Sequence, residues 1–171
     1  MKILIVVTLI STISWTTYAE DHPIYNQIIK NAPKIDKKYA FDLSNKIHKV
    51  TKKYNLNARI YTAILAQESM YKLDAINCVK GLHEVSRTPS KVCRDFGISQ
   101  INFKNIPRFG FNIDLLLTDL EYSVEAGAKV LADVKKRIKN NKNYWVGYNC
   151  GTRNIHRKAC KDYKKLVMRF M

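Results

Sequence analysis

Residues 57–70 read NARIYTAILAQESM, and this stretch decides the fold. Asn57 is a natural N-cap, and no glycine or proline interrupts residues 58–70, so a helix is predicted from just after Asn57 to about Met70. Tyr61, Ile64 and Leu65 fall at i, i+3 and i+4, which marks one face as inward. The next member of that series, at i+7, is Glu68. A carboxyl group where the pattern expects a hydrophobe loses part of its hydration. Desolvation disfavours the charged form and raises the pKa, as a proton donor working near neutral pH requires. The competing reading is a glutamate at a helix end that bends out to solvent or pairs with a lysine.

Outward from this helix the pattern stays largely helical. Upstream, Asp36 caps a predicted helix whose inward positions are Ala40, Leu43, Ser44, Ile47, Val50 and Tyr54. Residues 20–36 contain Pro23 and Pro33 and read as an irregular lead-in. Downstream, residues 75–105 lose the helical period around Gly81, Pro89 and Gly97, and suggest a loop with one or two short strands. Thr118-Asp119-Leu120-Glu121 has the form of a capping box opening a long helix. Its inward stripe is Leu120, Val124, Gly127, Ala128, Leu131, Val134 and Ile138, and Asn140-Asn141 closes it. Gly127 within that stripe costs up to about 1 kcal/mol relative to alanine unless something packs closely against it. A short apolar segment spans residues 145–149. A last helix is predicted from about Asn154, with Ile155, Ala159, Tyr163, Leu166, Val167 and Phe170 inward. The expected fold class is mainly α, a helical domain with a small β or loop lobe beside a groove.

The N-terminus has the form of an export signal. Lys2 precedes an apolar run from Ile3 to Ile13, and Thr17-Tyr18-Ala19 is a small-x-small cleavage site. The run is shorter than a spanning helix needs, so residues 1–19 are expected to be a signal peptide, with no stable membrane insertion after cleavage. Export implies an oxidising compartment, the periplasm or the exterior. Cys78, Cys93, Cys150 and Cys160 permit three pairings, and the local one, Cys78–Cys93 with Cys150–Cys160, closes two short polar loops. A zinc site using His83 and His156 is disfavoured, because neither segment has Cys-x-x-Cys spacing. No metal and no cofactor is expected.

The chain carries 30 Lys and Arg against 14 Asp and Glu, a formal net charge of +16. Such a charge either draws a protein to polyanions, making its binding salt-sensitive, or serves solubility alone, so charge by itself does not decide the function. No zinc-finger or RNA-binding signature accompanies it, and export argues against nucleic acid as the partner. The cell wall and the lipopolysaccharide surface are the polyanions outside the cytoplasm.

Three segments give Glu68 a context. Glu68-Ser69 is followed by Gly97-Ile98-Ser99-Gln100-Ile101-Asn102, then by Trp145-Val146-Gly147-Tyr148-Asn149-Cys150-Gly151. This ordered set resembles the lytic transglycosylases of the soluble-transglycosylase type, which share a fold with goose-type lysozymes. Their pattern is Glu-Ser, then Gly-Leu-Met-Gln, then Ala-Tyr-Asn with a nearby glycine. Asn105-Ile106-Pro107, Phe109-Gly110, Leu116-Leu117 and residues 124–131 also match the family's run between its second and third motifs. The resemblance covers about residues 38–168, within an expected lysozyme-like domain at 37–171.

The resemblance implies a peptidoglycan-cleaving enzyme. Glu68 would protonate the glycosidic oxygen between N-acetylmuramic acid and N-acetylglucosamine, then act as base on the muramic C6 hydroxyl to close a 1,6-anhydro ring. Ser69, Ser99, Gln100, Tyr148 and Asn149 would bind substrate or orient the acid. Ser99 stands where the family has methionine, which implies a lost apolar contact to sugar, and Gly147 replaces the usual alanine. Residues 78–93 exceed the length usual in the family and would form a flap or hairpin by the groove. Asp95 has two readings: a second carboxylate facing Glu68, as in true lysozymes, or a turn residue that caps local amides. The rivals are a muramidase on the same fold and a non-catalytic cationic wall-binding protein. The implied partners are peptidoglycan glycan strands and, for a small domain of this kind, a secretion, conjugation or phage assembly.

Overall fold

The computed structural model describes residues 22–82, 89–139, 141–153 and 155–171. The expected signal peptide at residues 1–19, His83, Asn140 and Asn154 lie outside the described residues. Residues 20–36, expected to be irregular, instead contain the first helix among the described residues, α1 (Pro23–Asn31). Pro23 opens it, because the missing proline N–H falls where no intrahelical partner exists. Ile24, Gln27 and Ile28 are buried on its inner side.

Helices α2 (Lys37–Lys53) and α3 (Ala58–Ser69) begin where their caps place them. Asp36 Oδ1 accepts from Tyr39 N at 2.8 Å, and Asn57 Oδ1 accepts from Ile60 N at 3.0 Å. Met70 ends α3 in the left-handed conformation, with φ 51°.

The middle lobe is more regular than expected. Strands β1 (Ile76–Leu82), β2 (Pro89–Phe96) and β3 (Ile101–Asn102) form an antiparallel sheet in that order. The register sets Asn77 opposite Asp95, and Asp95 opposite Asn102. A Cys78–Cys93 disulfide staples β1 to β2. Two short helices come next, α4 (Asn105–Phe109) and α5 (Ile113–Thr118).

Helix α6 (Leu120–Arg137) is capped by Asp119, whose Oδ1 accepts from Tyr122 N at 3.0 Å. This corrects the capping box: Thr118 donates to Asp114 O and closes α5, while Glu121 pairs with Lys49 at 2.5 Å. A 3-10 turn (Tyr144–Val146), α7 (Gly147–Cys150) and α8 (Lys158–Met168) complete the chain. Ala159 is exposed, and Cys160, Tyr163 and Val167 form the inner stripe of α8.

Helix α6 divides the interior. Val124, Ala128 and Leu131 pack with α1–α3 and α8 around Tyr61, Ile64, Leu65 and Trp145. Ala126 and Val130 pack with Ile101 and Leu116 beneath the sheet. The fold is therefore mainly helical with a small antiparallel lobe, and the two meet at the end of α3. No helix among the described residues is long and apolar enough to cross a membrane.

Candidate active site

Glu68 lies one turn beyond Ile64 and Leu65, which are fully buried, at the point where the inner face of α3 emerges into a cleft. The cleft has a volume of about 470 Å³. Asn77, Asp95, Gln100 and Asn102 form its sheet-side wall, and Tyr148 and Asn149 come from α7. Among the described residues no lysine or arginine lines it, although the chain is strongly basic.

The Glu68 side chain is half-buried, and Tyr163 Oη donates to its Oε1 at 2.6 Å. Desolvation pushes its pKa from 4.5 up to about 7; the nearby Asp95 carboxylate pushes the same way, while the Tyr163 hydrogen bond opposes both. Near neutrality the group can therefore both give and take a proton. Burial, first, and the neighbouring Glu68 charge raise the Tyr163 hydroxyl well above its ordinary range, so it acts as a hydrogen-bond donor.

Asp95 is neither a turn residue nor a cap for local amides. It sits on β2, where Asn102 Nδ2 donates to Oδ1 at 2.7 Å and Asn77 Nδ2 donates to Oδ2 at 3.1 Å. The strand register sets both amides beside it. Two side-chain donors thus fix a carboxylate in the same cleft as Glu68.

The turn between β2 and β3 explains how Gln100 reaches the cleft while Ser99 does not. Gly97 has φ 76°, and a Cβ there would lie 2.3 Å from Leu116 O and 2.5 Å from Ser123 Oγ, so only glycine fits. Gln100 is also left-handed, with φ 45°. Its Nε2 donates to Ala75 O at 3.0 Å and Gly97 O at 2.9 Å, which pins the side chain on the cleft wall.

Ser99 is fully buried and points into the core, a correction to its expected place among the substrate-binding residues. Its Oγ donates to Ser123 O at 3.0 Å and lies 3.3 Å from Tyr61 Oη. The side chain at this position faces away from the cleft, so the expected loss of an apolar sugar contact has no basis in this geometry. What Ser99 supplies is its carbonyl, which accepts from Tyr148 Oη at 2.7 Å. That bond occupies the Tyr148 hydroxyl and leaves the ring on the cleft wall.

Ser69 is also absent from the cleft lining. Its Oγ donates to Ile98 O at 2.8 Å and ties the end of α3 to the turn that carries Gln100. The exposed Asn149 amide has no protein partner among the described residues and faces the cleft. The Cys150–Cys160 disulfide joins α7 to α8, and so couples Tyr148 and Asn149 to the helix that carries Tyr163.

Tyr163, like Asn77 and Asn102 beside Asp95, is a site residue that the sequence pattern did not single out; its spacing placed it with the hydrophobic stripe of the last helix. The available signal was chemical: a buried tyrosine hydroxyl needs a partner, and Glu68 was the carboxylate left without one. No group of three or more histidine, cysteine or acidic side chains among the described residues is arranged to hold a metal.

The family model described as the transglycosylase SLT domain matches residues 45–169. That span contains Glu68, Asp95, Gln100, Tyr148, Asn149 and Tyr163. No curated protein and no solved structure matches the chain.

Proposed function

The chain belongs to the transglycosylase SLT domain family, and from that premise we propose that it is an exported peptidoglycan lytic transglycosylase with Glu68 as acid and base. The observation that carries this reading is a single carboxyl group, half-buried in a cleft and held by Tyr163, with its pKa raised to about 7.

The Glu68 proton passes to the glycosidic oxygen between N-acetylmuramic acid and N-acetylglucosamine as the bond to the muramic C1 breaks. The carboxylate so formed takes the proton of the muramic C6 hydroxyl as O6 bonds to C1. One carboxyl group serves both steps and no water is consumed. Tyr163 donates throughout, and its bond strengthens when Glu68 becomes charged. The Tyr148 ring offers a face to a sugar, and Gln100 and Asn149 offer amides to its polar groups.

Asp95 favours a second reading, a hydrolase. A fixed carboxylate in the same cleft could orient water or stabilise an oxocarbenium ion. Mass spectrometry of digested sacculi separates the two. A transglycosylase gives muramic ends one water lighter than a hydrolase does, and reducing ends alone would overturn the first reading. Glu68→Gln should abolish turnover by about 10³-fold in either case. A variant that keeps turnover would remove Glu68 from the chemistry.

A further inference from the structure

The positive charge of the chain is concentrated in its C-terminal segment, and among the described residues none of that segment's lysines and arginines lines the cleft. Residues 135–171 hold twelve lysines and arginines and one acidic residue, Asp162, which leaves eleven of the net +16 in this segment. It comprises the end of α6, the 3-10 turn, α7 and α8, which pack against one another. Lys136, Arg137, Lys139, Lys142, Lys158 and Lys161 are exposed there.

Within this segment the turn at residues 141–143 and α8 enclose a cavity of about 180 Å³. Asn141, Asn143, His156, Lys161 and Lys164 supply its polar lining, above Val146 and Ile155. Among the described residues no carboxylate lines it. The nearby ion pairs among those residues are Arg137–Asp133 and Lys165–Asp162, and neither engages Lys161 or Lys164. Two cations, two amides and an imidazole around a small hollow form a donor set matched to a tetrahedral oxyanion.

We infer that this cavity binds a phosphate group of a phosphodiester-linked glycopolymer in the cell wall. The cations beyond the cavity fit successive phosphates of an extended chain, since Lys158 and Lys165 lie about 10 Å apart along α8. A bilayer fits less well: Met168 is the one large hydrophobe exposed among the described residues of the segment, so the face lacks an apolar wedge. Lys161 lies about 200° around α8 from Tyr163, so a polymer seated there leaves Glu68 accessible. Only the choice of a wall polymer rests on the function proposed above; the anion site rests on the cavity.

The test is direct binding, which needs no turnover. Purified protein is titrated with poly(glycerol phosphate), and separately with phosphatidylglycerol–phosphatidylcholine vesicles at equal phosphate concentration. Binding to the polymer should exceed binding to vesicles and weaken with salt. Lys161→Glu with Lys164→Glu should weaken it about tenfold or more, with an unchanged thermal midpoint. Lys38→Glu with Lys52→Glu makes the same charge change at exposed positions on α2, and should cost less than about threefold. Equal losses in the two double variants would reduce the effect to net charge, and tighter binding to vesicles would name the wrong partner; either overturns the inference. Turnover of soluble glycan lacking the polymer should match wild type in the cavity variant. If the wild type itself shows no turnover, the catalytic reading fails and the binding result stands.

Discussion

Tyr163 and Glu68, 95 residues apart in sequence, meet at 2.6 Å, with the phenol donating to the carboxyl oxygen. The tyrosine is buried on the inner stripe of α8, and the glutamate lies in the last turn of α3. Their bond crosses the interface between the two helices and lies at the head of the cleft.

Removing that bond should shift the pH profile in a direction fixed by the electrostatics. The Tyr163 hydroxyl favours the charged form of Glu68 and holds its pKa below the value that burial alone would set. Tyr163→Phe should therefore raise the pKa, and the alkaline limb of the rate profile should move to higher pH. Loss of a hydrogen bond to a charged group should also reduce the maximal rate about tenfold or more, because the charged intermediate form of Glu68 loses its donor. Initial rates from pH 5 to 9 on solubilised peptidoglycan decide it. A limb that moves down, or stays in place, refutes the coupling.

Asp95 pulls in the opposite sense. Its negative charge disfavours ionisation of Glu68, so Asp95→Asn should lower the Glu68 pKa and bring the alkaline limb down. The asparagine can keep one of the two amide contacts, those from Asn77 and Asn102, so the sheet should hold. Products distinguish the roles further. If Asp95 only tunes Glu68, anhydro ends persist at a reduced rate; if it activates water, any hydrolytic product disappears first.

The raised pKa of Glu68 also makes folding depend on pH. The folded state holds its proton up to about pH 7, whereas the unfolded chain releases it near 4.5. Between those values the folded state binds more protons, so stability falls as pH rises through the window and levels off above it. The loss attributable to Glu68 is on the order of 3 kcal/mol. Glu68→Gln cannot ionise and should flatten that slope, making the inactive variant the more stable protein at pH 8. Urea unfolding at pH 5 and pH 8 measures both proteins, and parallel slopes would show that Glu68 does not carry the effect.

The caps and stripes legible in the sequence were those set by local chemistry. Asp36 and Asn57 begin their helices because a side-chain oxygen satisfies a backbone N–H within three residues, a relation contained in a few adjacent letters. Pro23 misled because the same residue that breaks a helix interior is favoured at its first position. Ser99 misled for a conformational reason. Its place in the motif put it at the groove, but Gly97 and Gln100 both adopt positive φ, and the turn they make carries Ser99 inward and Gln100 to the cleft. Tyr163 was hidden because its partner lies on another helix, and no local period encodes such a meeting.

Gly127 offers the sharpest test of that inward-facing serine. Helix propensity alone predicts that Gly127→Ala stabilises α6 by about 1 kcal/mol. The structure predicts the reverse. A Cβ at this position would lie 2.2 Å from Ser99 Oγ and 2.4 Å from Tyr61 Oη. Tyr61 is held by Val124 O at 2.6 Å, and Ser99 by Ser123 O at 3.0 Å, so neither can retreat without giving up a buried hydrogen bond. Overpacking of this kind costs about 1–3 kcal/mol and should exceed the propensity gain. Displacing Ser99 also moves the carbonyl that anchors Tyr148, so activity should fall at temperatures where the variant remains folded. Urea unfolding of Gly127→Ala, Ser99→Gly and the pair completes the argument as a double-mutant cycle. Because the glycine at 99 removes the nearer clash, the alanine should cost less in that background. An alanine at 127 that is neutral or stabilising in the wild-type background would mean that Ser99 does not occupy this space.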